Sequence, residues 1–283
     1  MINKNAVWFI TGSGRGLGRA LAEEVLKAGY RAVVTARDPA GLADLVAAHD
    51  NAALALALDV TDTAQITSAL AAAEARFGAV DVLVNNAGYG YLAAIEEGKD
   101  ADVRALVETD LLAPVALIKA VLPAMRRRRH GHIVNITSIG GHLTYAGVGY
   151  YHMVKYGLEA VSDTLAKEVA PLGIGVTAVA PGAFRTGFRG PDSIKSSATV
   201  IDDYAETAGK SRAGTIAGHG KQMGDPNRGA RAIIAAVEAE KPPVHMLIGG
   251  DALDQLRAKL GDLSRELDAW EGVTRGTDIR GGA

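Results

Sequence analysis

Thr11–Gly18, TGSGRGLG, stands between an apolar run, AVWFI (Ala6–Ile10), and a run with helical spacing, LGRALAEEVLKAGY. It reads as strand, tight turn and helix. Residues without side chains at Gly12, Gly16 and Gly18 let the backbone turn sharply and let a pyrophosphate approach the amides at the helix start. The spacing, Gly-xxx-Gly-x-Gly, is a variant of the dinucleotide fingerprint G-x-G-x-x-G. Ser13, Arg15 and Leu17 share the turn and are grouped with the three glycines as candidate cofactor contacts.

Working outward from that turn, short β-type runs alternate with longer helical ones. RAVVTAR, LALALDV, VDVLVNNAG, GHIVNITS, IGVTAVAPG and VHMLIGG follow the first strand. Strands that are apolar almost throughout are buried on both faces, and helical crossovers make their sheet parallel. The expected fold is therefore a single α/β domain over residues 1–283. Its core would be a doubly wound, Rossmann-like parallel sheet of about seven strands, with helices on both faces and the ligand site at the strands' carboxyl ends. Asp38 reads as an N-cap with Pro39 at the first helical position. One long helix is expected from about Asp102 to Arg129. From residue 184 to 228 the pattern gives way to Gly, Ser, Thr and Asp, which suits a substrate lid. Residues 251–270 have helical periodicity, with Leu253, Leu256, Leu260, Leu263 and Leu267 on one stripe expected to pack on the body or on a partner subunit. A disordered tail is expected over 272–283.

The chain has 30 Lys+Arg against 32 Asp+Glu, a formal net charge of −2, so there is no electrostatic case for nucleic acid or an anionic membrane. RRRRH (Arg126–His130) reads as a solvated helix end, since basic groups there complement the helix dipole. With no cysteine, disulfides, thiolate catalysis and thiolate metal sites are excluded. The histidines lack metal-ligand spacing, and no metal is expected. Apolar runs are too short to span a bilayer, and MINKNAVWFITG carries no signal-peptide pattern, so a cytoplasmic protein is expected.

The second strand bears on the choice of cofactor. NAD enzymes usually carry an acid there for the ribose 2′-hydroxyl. Here the strand ends in Ala36 and Arg37, and Arg15 could reach the same place. Two guanidinium groups suit a 2′-phosphate, so NADP(H) is expected over NAD(H). Asp38 is the nearest acid, but helix capping accounts for it.

Tyr151 and Lys155, in YYHMVKYGLEA (Tyr150–Ala160), stand one helical turn apart on one face. Hydride addition to a carbonyl builds negative charge on oxygen and needs a proton donor. A free tyrosine titrates near pH ~10, and a nearby ammonium lowers that value. Such pairs also occur on ordinary helices; Ser138, at the end of the preceding strand, and the nucleotide turn upstream favour the chemical reading.

With these residues in view, the chain resembles the short-chain dehydrogenase/reductase family over nearly its whole length. TGSGRGLG, LDVTD, NNAG, the Ser138-to-Tyr151 segment, APGAFRT and GGDAL occur in the family's order. The resemblance implies reversible hydride transfer between a nicotinamide and a carbonyl or alcohol carbon of a small molecule. It implies that Asp59 and Val60 contact the adenine, that Asn86, Ala87 and Gly88 line the adenosine side, and that Asn85 braces the fourth strand. Pro181 and Gly182 would flank the nicotinamide, with Thr186 bonding its carboxamide and Phe184 nearby. Ser138 would hold the substrate oxygen, Tyr151 would be the acid/base, and Lys155 would tune it and bond the ribose. Where the family often has a relay asparagine, Asp110 aligns; it would either pair with Lys155 and offset its pull on Tyr151, hold a water, or point elsewhere. Leu143, Tyr145, Val148, Phe184 and Phe188 would give an apolar substrate pocket, with His142 and His152 nearby. The family assembles through its two long helices, so a homodimer or homotetramer is expected. Two other readings stay open: an NADP-binding regulatory protein without turnover, and a sugar-nucleotide epimerase or dehydratase.

Overall fold

Trp8 and Ile10 bury their side chains on one side of the first strand, Val7 and Phe9 on the other, and all four are fully buried. Each such side chain contributes roughly 1.5–3 kcal/mol when taken from water. Two buried faces require helices above and below the sheet, which is the arrangement found. The structure is a computed structural model that describes residues 2–49 and 51–279.

The strands are β1 (Val7–Ile10), β2 (Arg31–Ala36), β3 (Ala53–Ala57), β4 (Val82–Asn85), β5 (Gly90–Leu92), β6 (Gly131–Ile136), β7 (Ile174–Pro181), β8 (Ile194–Ser196) and β9 (His245–Ile248). The α-helices are α1 (Gly16–Lys27), α2 (Ala43–Ala48), α3 (Thr63–Phe77), α4 (Asp100–Val107), α5 (Ala113–Arg128), α6 (Gly149–Val169), α7 (Lys210–Ala217), α8 (Pro226–Glu238) and α9 (Gly250–Arg275). The main sheet has seven strands in the order β3-β2-β1-β4-β6-β7-β9, all parallel. Leu21, Val25 and Ile233 cover one face from α1 and α8; Ile66, Leu117 and Leu165 cover the other from α3, α5 and α6. The chain reverses its direction of winding between β1 and β4. A parallel sheet opens a crevice there, outside the carboxyl ends of the strands. The glycine turn follows β1, and Asn86 follows β4, so both border this crevice.

Three features differ from expectation. The helix expected over 102–129 is interrupted by a π-helical turn at Glu108–Leu112. Pro114 has no N–H to give the carbonyl of Asp110, four residues earlier, so an α-helical bond is missing there. Residues 184–228 are not featureless: they hold β8, which pairs with β5, and α7. Helix α9 runs to Arg275, into the stretch expected as a tail, while residues 280–283 lie outside the described residues. The basic run stays exposed at the end of α5, as expected, with Arg128 pairing with Asp81 at 2.8 Å and Arg129 donating to the Pro171 carbonyl. Among the described residues, no helix is long and apolar enough to cross a membrane.

Candidate active site

A groove of about 1080 Å³ lies outside the carboxyl ends of β1, β4 and β6. Ligand pockets commonly measure about 300–1,000 Å³, so there is room for a dinucleotide beside a small substrate. At one end, Gly12 (φ 68°) and Gly16 (φ 61°) hold the left-handed backbone that favours glycine. Helix α1 opens there with no side-chain cap bond from Arg15 and no acid in its first turn. Its leading N–H groups are thus available to an anion beside Gly16, Leu17 and Gly18, which border the groove. Gly18 is fixed by packing, because a Cβ would fall 2.3 Å from Asn86 Nδ2 and 2.4 Å from Gly12 O. Asn86 Nδ2 donates to Thr11 O at 2.8 Å and to Gly12 O at 3.1 Å, tying the glycine turn to the end of β4. Ala87, Gly88, Asp59 and Val60 continue the wall. Asn85 braces β4 to β6 by donating to Asn135 Oδ1 at 2.8 Å.

Ser13 is the exception in the turn. It is fully buried, its hydroxyl donating to Ile10 O at 2.8 Å and its N–H to Thr35 O at 2.8 Å, so it shapes the turn and does not border the groove. At the tip of β2, Ala36, Arg37 and Asp38 border the groove. Asp38 accepts from Ala40 N–H at 2.9 Å, the capping bond expected of it. Arg37 makes no ion pair among the described residues. Arg15 is committed elsewhere: it donates to Asp192 O at 2.6 Å, across the groove, and lies 3.7 Å from that residue's carboxylate.

At the other end, Ser138, Tyr151 and Lys155 converge on the groove. Ser138 sits just beyond β6, and the 3.6-residue period of α6 places Tyr151 and Lys155 on the face beneath it. Ser138 and Tyr151 both face the groove, and the Lys155 ammonium lies 5.5 Å from the centre of the Tyr151 ring. Lys155 Nζ donates to Ile136 O at 3.3 Å and pairs with Asp110 Oδ2 at 3.3 Å. The π turn brings Asp110 inward, where Oδ1 also accepts from Tyr89 N–H at 3.1 Å. Gly88 makes room, since a Cβ there would lie 2.7 Å from Asp110 Oδ2.

The electrostatics differ from the simple expectation that Lys155 lowers the tyrosine. Burial pushes the Tyr151 phenol above its ordinary value; Lys155 and the Ser138 hydroxyl pull down and Asp110 pushes up, and the balance stays upward. Burial also works to lower the Lys155 ammonium, but Asp110 and Tyr151 outweigh it and hold it charged. The Asp110 carboxyl is pushed up by burial, partly offset by Lys155 and by the Tyr89 N–H.

Pro181, Gly182, Phe184 and Thr186 close the remaining side. Phe184 also packs toward the core beside α8: a Cβ on Gly229 would meet its ring at 2.7 Å. Tyr145, Val148, His152 and Phe188 border the substrate end, and burial lowers the His152 imidazole to about 4, leaving it neutral at pH 7. Leu143, expected in this pocket, is instead in a small core cluster with Ile139 and Ala252, and His142 turns to Glu159 at 3.2 Å. The sequence reading missed Tyr89, Asp192, Asp251 and Gln255, which also border the groove. Asp251 accepts from Ala183 N–H at 2.8 Å, and Tyr145 donates to Gln255 Oε1 at 2.5 Å. GGDAL held the only local hint of α9's involvement.

With this geometry in place, comparison with known proteins gives the class. The family model described as short chain dehydrogenase matches residues 6–196. The oxidoreductase BOA17 of Botryotinia fuckeliana (strain B05.10) is 36% identical over 265 residues, covering 93% of this chain and 96% of that protein. The crystal structure of a short-chain dehydrogenase from Streptomyces avermitilis superposes with a TM-score of 0.91 at 44% identity, covering 97% of this chain and 100% of that one. A metagenomic short-chain oxidoreductase in complex with NADP superposes with a TM-score of 0.68 at 28% identity, covering 87% and 98%. The chain belongs to the short-chain dehydrogenase/reductase family, a family of oxidoreductases.

Proposed function

We propose that this protein interconverts a carbonyl and a secondary alcohol on a fairly apolar small molecule, using NADP(H) in preference to NAD(H). The observation that carries the reading is the meeting of Ser138, Tyr151 and Lys155 at the groove that begins at the glycine turn. The uncapped start of α1 and the positive-φ glycines suit the cofactor's pyrophosphate, and Arg37, which has no ion pair among the described residues, suits a 2′-phosphate. When bound, the nicotinamide supplies or accepts the hydride. Tyr151 gives its proton to the substrate oxygen in reduction and takes it back in oxidation. Ser138 bonds the same oxygen and holds it at the phenol. Lys155 keeps its charge through Asp110 and would bond the nicotinamide ribose. Phe188, whose ring centre lies 6.0 Å from that of Tyr151, Tyr145 and Val148 favour an apolar group next to the reacting carbon. Residues 184–228 supply Phe188, Asp192 and Thr215 to the groove wall and serve as its lid.

Asp110 on Lys155 favours a second reading, a cofactor-binding protein without turnover, because it diverts the cation from the phenol. One experiment separates the two. NADPH absorbance is followed with a panel of apolar ketones, and NADPH binding is titrated in parallel. Turnover that Tyr151→Phe abolishes is expected. Tight NADPH binding with no ketone reduced would leave the silent reading standing.

A further inference from the structure

From Asp262 to Arg275 every residue of α9 is exposed, so this half of the helix stands off the body of the protein. A free helix of that length, about 14 residues, is marginal in water. Its sequence is also wrong for solvent. Leu253, Leu256, Leu260, Leu263, Leu267 and Trp270 alternate three and four residues apart, the a/d spacing of a helix that packs along another. Leu256 packs on the body beside Ile139 and Ala252. Leu260, Leu263, Leu267 and Trp270 are 56%, 42%, 63% and 65% exposed.

We infer that α9 pairs antiparallel with α9 of a second copy of this chain. The spacing is its own mirror about a point between Gly261 and Asp262: Leu260 mirrors Leu263, Leu256 mirrors Leu267, and Leu253 mirrors Trp270. A two-fold axis at that point makes each couple one layer of the seam, as a self-complementary interface requires. The flanking charges choose the direction. Arg257 and Lys259 precede the centre, and Glu266 and Glu271 follow it. Antiparallel pairing brings Lys259 to the partner's Glu266 and sets the basic positions flanking the stripe of each helix toward the acidic flanking positions of the other. Parallel pairing would set Glu266 beside the partner's Glu271, like against like. Within one chain these groups are lightly held: Lys259 Nζ reaches Tyr156 Oη at 3.5 Å, and Glu271 pairs with Arg275 at 2.7 Å on the exposed surface. The axis also places the partner's Trp270 beside Leu253, close to Gln255, which lines the groove.

The chain has no cysteine, so introduced thiols report cleanly. Chains carrying Leu253→Cys and differently tagged chains carrying Trp270→Cys are mixed and mildly oxidised. The expected product is the disulfide between the two kinds of chain, several-fold above either self-linked product. Dominant self-linking of Leu253→Cys would mean parallel pairing and overturns the inference, as does the absence of any cross-link. Separately, L263D/L267D alters two exposed side chains and leaves the body intact. In sedimentation velocity it is expected to halve the wild-type assembly mass. Glu266→Lys should weaken association, and K259E/E266K should restore it. A wild-type chain that sediments as a monomer, or a mass unmoved by L263D/L267D, overturns the inference.

Discussion

Lys155 Nζ lies 3.3 Å from Asp110 Oδ2, with Lys155 6% and Asp110 1% exposed. An ion pair that deep is held by what surrounds it, and removing one partner leaves an uncompensated charge. Here the surroundings are the Tyr89 N–H, the Ile136 carbonyl and the bare Cα of Gly88. The pair therefore sets how much positive charge reaches Tyr151.

Asp110→Asn should move the pH profile. Asp110 pushes the Tyr151 phenol up, so its removal lets that pKa fall. Alcohol oxidation needs the phenolate, so the rising limb of kcat/KM against pH should shift to lower pH. Lys155 loses the group that holds it up, and its own pKa also falls. The comparison of the two profiles decides this; a limb that stays in place or moves to higher pH refutes the role given to Asp110.

Tyr151→Phe removes the proton donor and keeps the ring. Positioned acid/base groups contribute roughly 10²–10⁴-fold, so turnover should fall by about that factor. NADPH affinity, read by nucleotide fluorescence, should hold within a few-fold, because the glycine turn and Arg37 are untouched. Wild-type turnover in this variant would remove the phenol from the mechanism.

Arg37→Ala should separate the two cofactors. A hydrogen bond to a charged group is worth about 1.5–3 kcal/mol, so KM for NADPH should rise roughly 10- to 100-fold. KM for NADH should hardly change. Arg15→Ala should have the smaller effect, since Arg15 is engaged by Asp192. Equal losses with both nucleotides would argue against a 2′-phosphate site at β2.

Glu97 anchors the segment proposed as the lid. Its carboxylate accepts from Ile201 N–H at 3.0 Å and Ala94 N–H at 2.9 Å and pairs with Arg212, and its carbonyl accepts from Ser197. The Ile201 N–H leads in holding this carboxyl below its usual range, against burial, with Ala94 and Arg212 adding to it. A lowered pKa in the folded state gives stability that is full above the unfolded value and lost as pH falls through the folded one. Limited proteolysis between residues 194 and 217 should therefore speed up on acidification. Glu97→Gln should already be cut faster at neutral pH; protection equal to wild type would show that the carboxylate does not hold this segment.

Sequence alone determined the seven main strands, the glycine turn, the Asp38 cap and the one-turn spacing of Tyr151 and Lys155. Each is carried by neighbours in the chain: a run of apolar residues, a missing side chain, a polar cap or a one-turn spacing. The structure decided what depends on residues far apart. The Asp110–Lys155 pair needed a π turn to rotate a side chain inward, and Arg15 was drawn to Asp192 across the groove. Ser13 and Leu143 went to the interior, and α9 brought Asp251 and Gln255 to a site begun at Gly12. Long-range packing leaves no local periodicity to read. Which of several chemically able groups meets a given partner is settled only when the sheet and its helices close on one another.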